Sequence, residues 1–181
     1  AGALLNGSTN ADRTNYWEVV PTSAIDLALW MESDRMGYLL PALTRERFET
    51  QRDVVLNERR QNYENRPYGM AMMAITSSLF APDHPYHWMT IGAADDIRAM
   101  QLEDVQAFFR TYYHPANASL VIAGDIETSR ALDLSEQYFG ELPAAHPRAR
   151  VTAAGDVSGE RRLLLEDRIE LPRVYLAWHS P

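Results

Sequence analysis

The sequence contains no cysteine and no long apolar run, and it is short of basic residues. Without cysteine, the chain has neither a disulfide framework nor a thiolate ligand for a metal. No apolar segment approaches the roughly 18 residues that a membrane-spanning helix needs. Because 25 acidic residues outnumber 17 basic ones, the net charge of −8 argues against a surface for nucleic acid or anionic membranes.

What the chain does contain is enough apolar sequence to form a sizeable core. Apolar residues make up 46% of the 181 residues, which is typical of one folded domain. The chain starts without Met and stops directly after an apolar segment. We therefore expect residues 1–181 to be a single α+β domain, truncated at both ends, from a longer polypeptide.

Hydrophobic periodicity and turn residues predict a mixture of helices and strands. A hairpin is expected in residues 2–20, and irregular connections are expected at 81–92 and 141–160. The predicted helices span 23–40, 43–65, 70–80, 93–100, 102–113 and 127–139, and further strands are predicted at 117–125, 161–167 and 173–179. Since strands and helices do not alternate strictly, the fold class is α+β, with helices packed on a mainly antiparallel sheet.

The long helix predicted at 43–65 carries a carboxylate on the face that should point inward. Thr44 is suited to cap this helix at its N-terminus. At 100° per residue, one narrow sector of the helix contains Phe48, Gln51, Val55, Glu58 and Asn62. A carboxylate on a buried face is costly unless it is paired or bound to a metal. Two interpretations of Glu58 are therefore open, an arginine-paired structural residue and a metal ligand.

Five local signatures follow one another along the chain. They are GALLNGSTNADRTNY (2–16), QRDVVLNERRQ (51–61), ENRPYG (64–69), FFRTYYHPANASLVIAGD (108–125) and YFGELP (138–143). In this order they resemble the pitrilysin/insulinase family of zinc metallopeptidases, in the form found in bacterial processing-peptidase-like proteins. The resemblance covers nearly the whole chain, and five signatures in the expected order are far more specific than any one of them.

The resemblance implies a role for Glu58. Members of this family bind zinc through an H-x-x-E-H motif, whose two histidines are ligands and whose Glu is the general base. A third ligand, a Glu in the pattern R-x-x-V-x-x-E, follows about 75 residues later. Here that pattern is formed by Arg52, Val55 and Glu58, so the resemblance implies that Glu58 is a zinc ligand. H-x-x-E-H does not occur in residues 1–181, so we expect it upstream and expect this chain alone to be inactive.

The resemblance also assigns residues near the metal and the substrate. Some members carry a Glu where this chain has Gln51, an amide that cannot take up a proton. We place Gln51 and Asn62 beside Glu58, where amides can orient it by hydrogen bonding. The family's edge strand, whose backbone pairs with an extended peptide substrate, corresponds to Asn6, Gly7, Ser8 and Thr9. The alternative for these four residues is an ordinary hairpin with a glycine turn.

The five histidines are predicted to be structural. His84 and His87 form an H-x-x-H pair in a proline-rich loop, whereas metal-binding pairs usually lie on rigid helices or strands. His114 ends a predicted helix, and His146 and His179 have no partner pattern.

Two functions follow from the resemblance. The first is a zinc metalloendopeptidase, of which this chain is a fragment of the N-terminal catalytic domain. Its expected partners are a peptide substrate and a homologous second domain or partner subunit. The alternative is a non-catalytic partner or core subunit of the same family, which keeps the fold and acts as a binding or assembly module. Because bacterial relatives of this type are often exported, we expect a periplasmic location.

Overall fold

The computed structural model describes residues 2–143 and 159–179, which form helices and a small antiparallel sheet. The strands are β1 (Leu4–Thr9) and β2 (Thr14–Val19), and the helices are α1 (Ile25–Ala42), α2 (Arg45–Arg59), α3 (Ala71–Leu79), α4 (Ala94–Ala99), α5 (Leu102–Tyr112) and α6 (Thr128–Phe139). Short 3₁₀ turns occupy Thr22–Ala24, Pro85–His87 and Pro115–Asn117, and a π turn occupies Arg60–Glu64. The predicted α+β class is confirmed. No helix in the described ranges is long and apolar enough to cross a membrane.

The chain divides into two compact units. Unit 1 contains the described residues among 1–9, 14–48 and 100–149, and unit 2 those among 10–13, 49–99 and 150–181. Two compact units can belong to one domain or to two, so the expectation of a single domain remains a prediction.

The predicted hairpin is confirmed, and its sequence explains both the strands and the turn. β1 and β2 pair antiparallel, from Leu4 opposite Val19 to Thr9 opposite Thr14. Aromatic and β-branched residues favour the extended backbone of β2. In the connecting turn, Oδ1 of Asn10 accepts hydrogen bonds from the backbone N–H groups of Asp12 and Arg13, at 2.9 and 3.0 Å. Such an Asx turn is a frequent way for Asn to reverse the chain.

Unit 1 has its core where α1 packs against α6. Leu29 of α1 is 5% exposed, and Leu134 of α6 is fully buried. At Gly37 of α1, a Cβ atom would lie 2.5 Å from a terminal methyl group of Leu142, so a larger residue there would require that side chain to move. Close packing of this helix pair therefore depends on small and apolar residues at defined positions.

Polar contacts also join α1 to α6. The Arg130 guanidinium lies 3.5 Å from the Asp26 carboxylate, and the Tyr138 hydroxyl donates to the same carboxylate at 3.3 Å. Burial of the Tyr138 phenol and, second, the charge of Asp26 raise the pKa of Tyr138. Because the Arg130–Asp26 pair is about half exposed, we expect it to add less stability than the apolar contacts of Leu134.

Unit 2 is organised around α3 and the loop that follows it. The ring of Phe80 stacks on those of His179 and His84, with centroid distances of 4.9 and 4.6 Å, and meets Tyr86 edge-on. The Tyr86 hydroxyl in turn donates to Asp12 at 2.6 Å. The loop at 81–92, predicted as irregular, is thus held by aromatic contacts around one 3₁₀ turn.

Three predicted strands are wrong for the described residues. Segments 117–125, 161–167 and 173–179 contain no ladder pairing, and apolar side chains such as Val121, Leu164 and Val174 are exposed there. Apolar, β-branched sequence makes a segment fit for a sheet, but a strand exists only when a neighbour supplies its hydrogen bonds. Of the connector predicted at 141–160, residues 144–158 lie outside the described ranges.

Replacing Leu134 by alanine should test the α1–α6 core. Because Leu134 is 0% exposed, L134A should lower the free energy of unfolding by about 2–5 kcal/mol. L132A in the same helix is the matched control, since Leu132 is 66% exposed and its truncation should change stability by less than about 0.5 kcal/mol. Urea unfolding monitored by circular dichroism measures both. Equal losses would contradict this assignment of the core.

Candidate functional site

Helix α2 begins as predicted, with Thr44 as its cap. The Thr44 hydroxyl accepts a hydrogen bond from the backbone N–H of Arg47 at 3.3 Å, and its carbonyl accepts one from the N–H of Phe48 at 2.9 Å. Phe48 is 5% exposed, so the start of the predicted apolar face is buried. The helix is thereby fixed at its first turn.

The expectation that Glu58 faces inward is wrong. Along the predicted face only Phe48 is buried, Val55 is half-buried, and the three polar members are exposed: Gln51, Glu58 and Asn62. The buried charge on α2 is instead Arg59, at 6% exposure. At 100° per residue, Arg59 lies about 20° from the direction of Phe48 and Glu58 about 80° to the other side, so Arg59 and not Glu58 continues the covered line of the helix.

Glu58 has no partner within the described part of the chain. No hydrogen bond or ion pair joins its carboxylate to another side chain there. This holds although the helix carries four arginines, at positions 45, 47, 52 and 59, and a fifth follows directly at position 60. Among the described residues, no arginine pairs with Glu58 to support its interpretation as an arginine-paired structural residue. Its oxygens are free to accept a ligand from outside.

Arg59 holds the end of α2 in unit 2. Its Nε lies 3.2 Å from Oε1 of Glu64, and its Nη2 lies 3.9 Å from the sulfur of Met73 on α3. Nη1 is buried and has no hydrogen-bond acceptor among the described residues. Displacing a buried guanidinium is costly, because its contacts with neighbouring groups would be lost without replacement. Arg59 therefore fixes the helical turn from which Glu58 projects.

Directly after Arg59 the helix widens into the π turn at Arg60–Glu64. The N–H of Asn65 donates to the carbonyl of Arg60 at 2.8 Å, which is the i→i+5 bond of a π turn. Because this turn contains more residues than an α-helical one, Asn62 does not continue the 100° progression that placed it beside Glu58. Periodicity could not reveal this change.

The segment predicted to pair with substrate lies on β1. In the register, Asn6 is opposite Trp17, Gly7 opposite Tyr16 and Ser8 opposite Asn15. The N–H of Gly7 donates to Oδ1 of Asn6 at 2.8 Å, and all six residues of β1 are exposed. Within the described ranges, β1 pairs on one side only, so its other edge has backbone groups free to pair.

Tyr16 anchors this hairpin in unit 1. A Cβ atom on Gly7 would lie 3.3 Å from the Tyr16 ring, so the ring packs against the side of β1 on which Gly7 has no side chain. The Tyr16 hydroxyl is 2.8 Å from that of Tyr113, and the Arg35 guanidinium lies 4.0 Å above the Tyr16 ring. Burial and the contact with Tyr113 raise the pKa of Tyr16, so the phenol is neutral at physiological pH.

A pair of glutamates lies beside this tyrosine. Glu18 of β2 and Glu32 of α1 are both half-buried, and Arg35, which pairs with Glu32, lies over the ring of Tyr16 on the same face of β2 as Glu18. Burial, followed by hydrogen bonding to Glu32 and the Glu32 charge, raises the pKa of Glu18 to about 7, and Arg35 opposes the rise. Sequence reasoning missed this pair. The available signal was the alternation of Tyr16 and Glu18 along β2, which puts both on one face.

The histidines have structural contacts. Nδ1 of His84 accepts from the N–H of Tyr86 at 3.0 Å, Nδ1 of His87 is 2.7 Å from the carbonyl of Phe80, and Nε2 of His179 is 3.1 Å from the carbonyl of Leu79. His114 is buried, and His146 lies outside the described ranges. Among the described residues, no three His, Asp or Glu side chains are grouped closely enough to hold a metal ion.

Fold and motifs define the class as a peptidase-type α+β domain, and comparison with known proteins agrees. Residues 99–181 match the family profile described as the Peptidase M16 inactive domain. The chain is 34% identical over 141 residues to "Zinc protease PqqE" of Helicobacter pylori, covering 78% of this chain and 31% of that protein. It is 25% identical to "Mitochondrial-processing peptidase subunit beta" of Caenorhabditis elegans, covering 78% of this chain and 30% of that protein.

A solved structure is similar as well. The crystal structure of a protease from Helicobacter pylori superposes with a TM-score of 0.75 at 31% identity, over 84% of this chain and 36% of that one. These matches support the resemblance of this chain to the pitrilysin/insulinase (M16) family. The chain spans about a third of the length of the curated relatives it matches.

Replacing Arg59 by alanine should weaken the end of α2. We expect R59A to lower the free energy of unfolding by about 1–3 kcal/mol, because it removes buried packing and leaves Glu64 without its cation. R60A is the matched control, since Arg60 is exposed and its loss should cost less than about 0.5 kcal/mol. Chemical denaturation compares the two. If R60A is as damaging as R59A, the placement of Arg59 is incorrect.

Proposed function

We propose that this chain is part of a zinc metalloendopeptidase in which Glu58 supplies one metal ligand and β1 pairs with the peptide substrate. The observation that carries the proposal is the free carboxylate of Glu58, exposed on α2 within the pattern Arg52-x-x-Val55-x-x-Glu58. A carboxylate without an internal partner is available to a metal, whereas one paired with arginine would first have to break that pair.

The donor chemistry fits zinc, but only as one part of a site. Carboxylate oxygens are ordinary zinc ligands, and catalytic zinc sites use three protein ligands. Since the described residues hold no group of three candidate ligands, Glu58 has to be joined by donors from another segment. We place those donors in an H-x-x-E-H helix outside residues 1–181. Gln51 and Asn62, both exposed, are the amides proposed to orient the carboxylate.

In this proposal each element of the chain has a separate task. Zinc, when bound, supplies Lewis-acid chemistry for hydrolysis of the peptide bond. Glu58 holds its share of the metal on a helix end fixed by Arg59. The edge of β1 at Asn6, Gly7, Ser8 and Thr9 orients an extended peptide through backbone hydrogen bonds, which gives affinity with little demand on sequence. A homologous second domain or partner subunit would complete the substrate chamber.

The alternative proposal is a binding or assembly subunit without metal. The match of residues 99–181 to a profile described as inactive is the observation in its favour. That match does not include Glu58 or β1, which lie in residues 1–98. The two proposals therefore differ in one measurable property, the zinc content of the full-length protein.

Glu58→Gln should remove zinc from the full-length protein. The amide keeps the size of the side chain but is a poor zinc ligand, so zinc affinity should fall by more than the roughly 10- to 100-fold cost of losing an outer hydrogen bond. Peptidase activity should fall with it. Elemental analysis and competition with a chelator measure stoichiometry and affinity. Glu49→Gln, on the exposed side of the same helix, is the matched control and should keep zinc.

Retention of zinc by Glu58→Gln would remove Glu58 from the ligand set. Absence of zinc from the wild-type full-length protein, prepared with zinc present, would favour the binding or assembly subunit instead.

Peptide binding should protect β1 from hydrogen exchange. In the full-length Glu58→Gln variant, which should bind peptide without hydrolysing it, an unstructured proline-free peptide at saturation should slow exchange in residues 4–9 about tenfold or more. The same peptide N-methylated at alternate residues is the matched control, because it lacks the donors that pair with a strand edge. Exchange in α6 should not change. Protection by both peptides alike would contradict backbone pairing at β1.

A further inference from the structure

Polar side chains of β2 and α1 form a cluster in unit 1. Oε2 of Glu32 accepts from Nη1 of Arg35 at 2.5 Å. Oε1 of Glu32 is buried and, with both carboxyls ionised, has no hydrogen-bond donor among the described residues. The Arg35 guanidinium also lies 4.0 Å over the ring of Tyr16, and Tyr16 and Glu18 share one face of β2. The half-buried carboxyl of Glu18 therefore faces Glu32, and it can donate to that oxygen only when it carries a proton. The buried oxygen is therefore satisfied in one protonation state and unsatisfied in the other.

The surrounding charges give the same result. The groups that face Glu18 and Glu32 are Arg35 from α1 and Tyr16 from β2, and Tyr16 in turn contacts Tyr113 directly after α5. The Tyr16 phenol is neutral near pH 7, and Arg35 is the one cation among these groups. A single guanidinium compensates one carboxylate, so the second half-buried carboxyl is most stable when it keeps its proton. Two carboxyls sharing one proton is a known solution to this constraint.

We propose that Glu18 and Glu32 form a proton-dependent latch that holds the β1–β2 hairpin on helix α1. With one proton between them, the Glu18 carboxyl donates to Glu32 and the latch is closed. With both groups ionised, the hydrogen bond is replaced by repulsion and the hairpin loosens. Because β1 carries Asn6–Thr9, the latch would make substrate pairing depend on pH, and this consequence rests on the proposed function.

The sign of the pH dependence follows from the direction of the shift. The pKa of Glu18 rises from an ordinary value of 4.5 to about 7 in the folded chain. A raised carboxyl pKa means that folding favours the protonated form. The stabilisation is therefore complete below the ordinary value, is lost as the pH rises through the window between these two values, and is absent above it. The charged groups that shift the pKa of Glu18 are Glu32 and Arg35, so this titration does not involve the proposed metal ligand.

Hydrogen exchange of the full-length protein across about pH 5 to pH 8.5 tests the latch. After correction for intrinsic exchange, the opening equilibrium of the β1 and β2 amides should rise by up to about tenfold per pH unit and level off above about pH 7. In Glu18→Gln the amide donates to Glu32 at every pH, so the hairpin profile should be flat. Glu141→Gln removes an exposed carboxylate from the same unit and should keep the wild-type profile.

Two results would overturn the latch. One is a wild-type hairpin whose corrected exchange does not change with pH, which decides the matter even where a variant folds poorly. The other is a Glu18→Gln variant that retains the wild-type pH dependence. Neither result depends on zinc or substrate, since exchange reports on the hairpin directly. A protein without zinc would therefore refute the proposed function and leave the latch intact, and a flat exchange profile would do the reverse.

Discussion

A carboxylate that leaves water needs a cation, a proton or a metal, and the glutamates of this chain meet this requirement in different ways. Glu64 lies against the buried guanidinium of Arg59. Glu32 takes the cation of Arg35, which leaves Glu18 to keep its proton. Glu58 avoids the cost by remaining in water with no internal partner. The pairing of charged groups thus holds the end of α2, which carries Glu58, and the hairpin, which carries β1.

The contrast between Glu58 and Arg59 shows what helical periodicity can and cannot predict. Periodicity placed Glu58 in line with Phe48, and Phe48 is indeed buried. Three turns later, the covered position close to the Phe48 direction is occupied by Arg59, which contacts Glu64 and Met73, and Glu58 lies at the exposed edge of the predicted sector. A long aliphatic stem lets arginine serve as an apolar residue, so a pattern based on residue polarity places it on the wrong side.

Local chemistry made most elements predictable. The β1–β2 hairpin, the Thr44 cap and helix α6 are each encoded by local sequence, and each occurs where predicted. The strands predicted at 117–125, 161–167 and 173–179 do not form in the described residues, because a ladder depends on a neighbouring strand that the local sequence does not specify. The Glu18–Glu32 pair joins residues from different elements, and its proton depends on burial that exists only after folding.

The two halves of the proposed site are supported by networks that share no residue. Tyr16, Glu18, Glu32 and Arg35 support the hairpin, and Arg59, Glu64 and Met73 support the end of α2. Groups without common partners usually act independently in their energetics. Titration of Glu18 can therefore alter the order of β1 while the Arg59 contacts that hold the Glu58 turn stay the same. In a peptidase, this separation would let pH change the pairing of β1 with substrate without changing the metal ligand. Substrate binding could then be regulated independently of the chemical step.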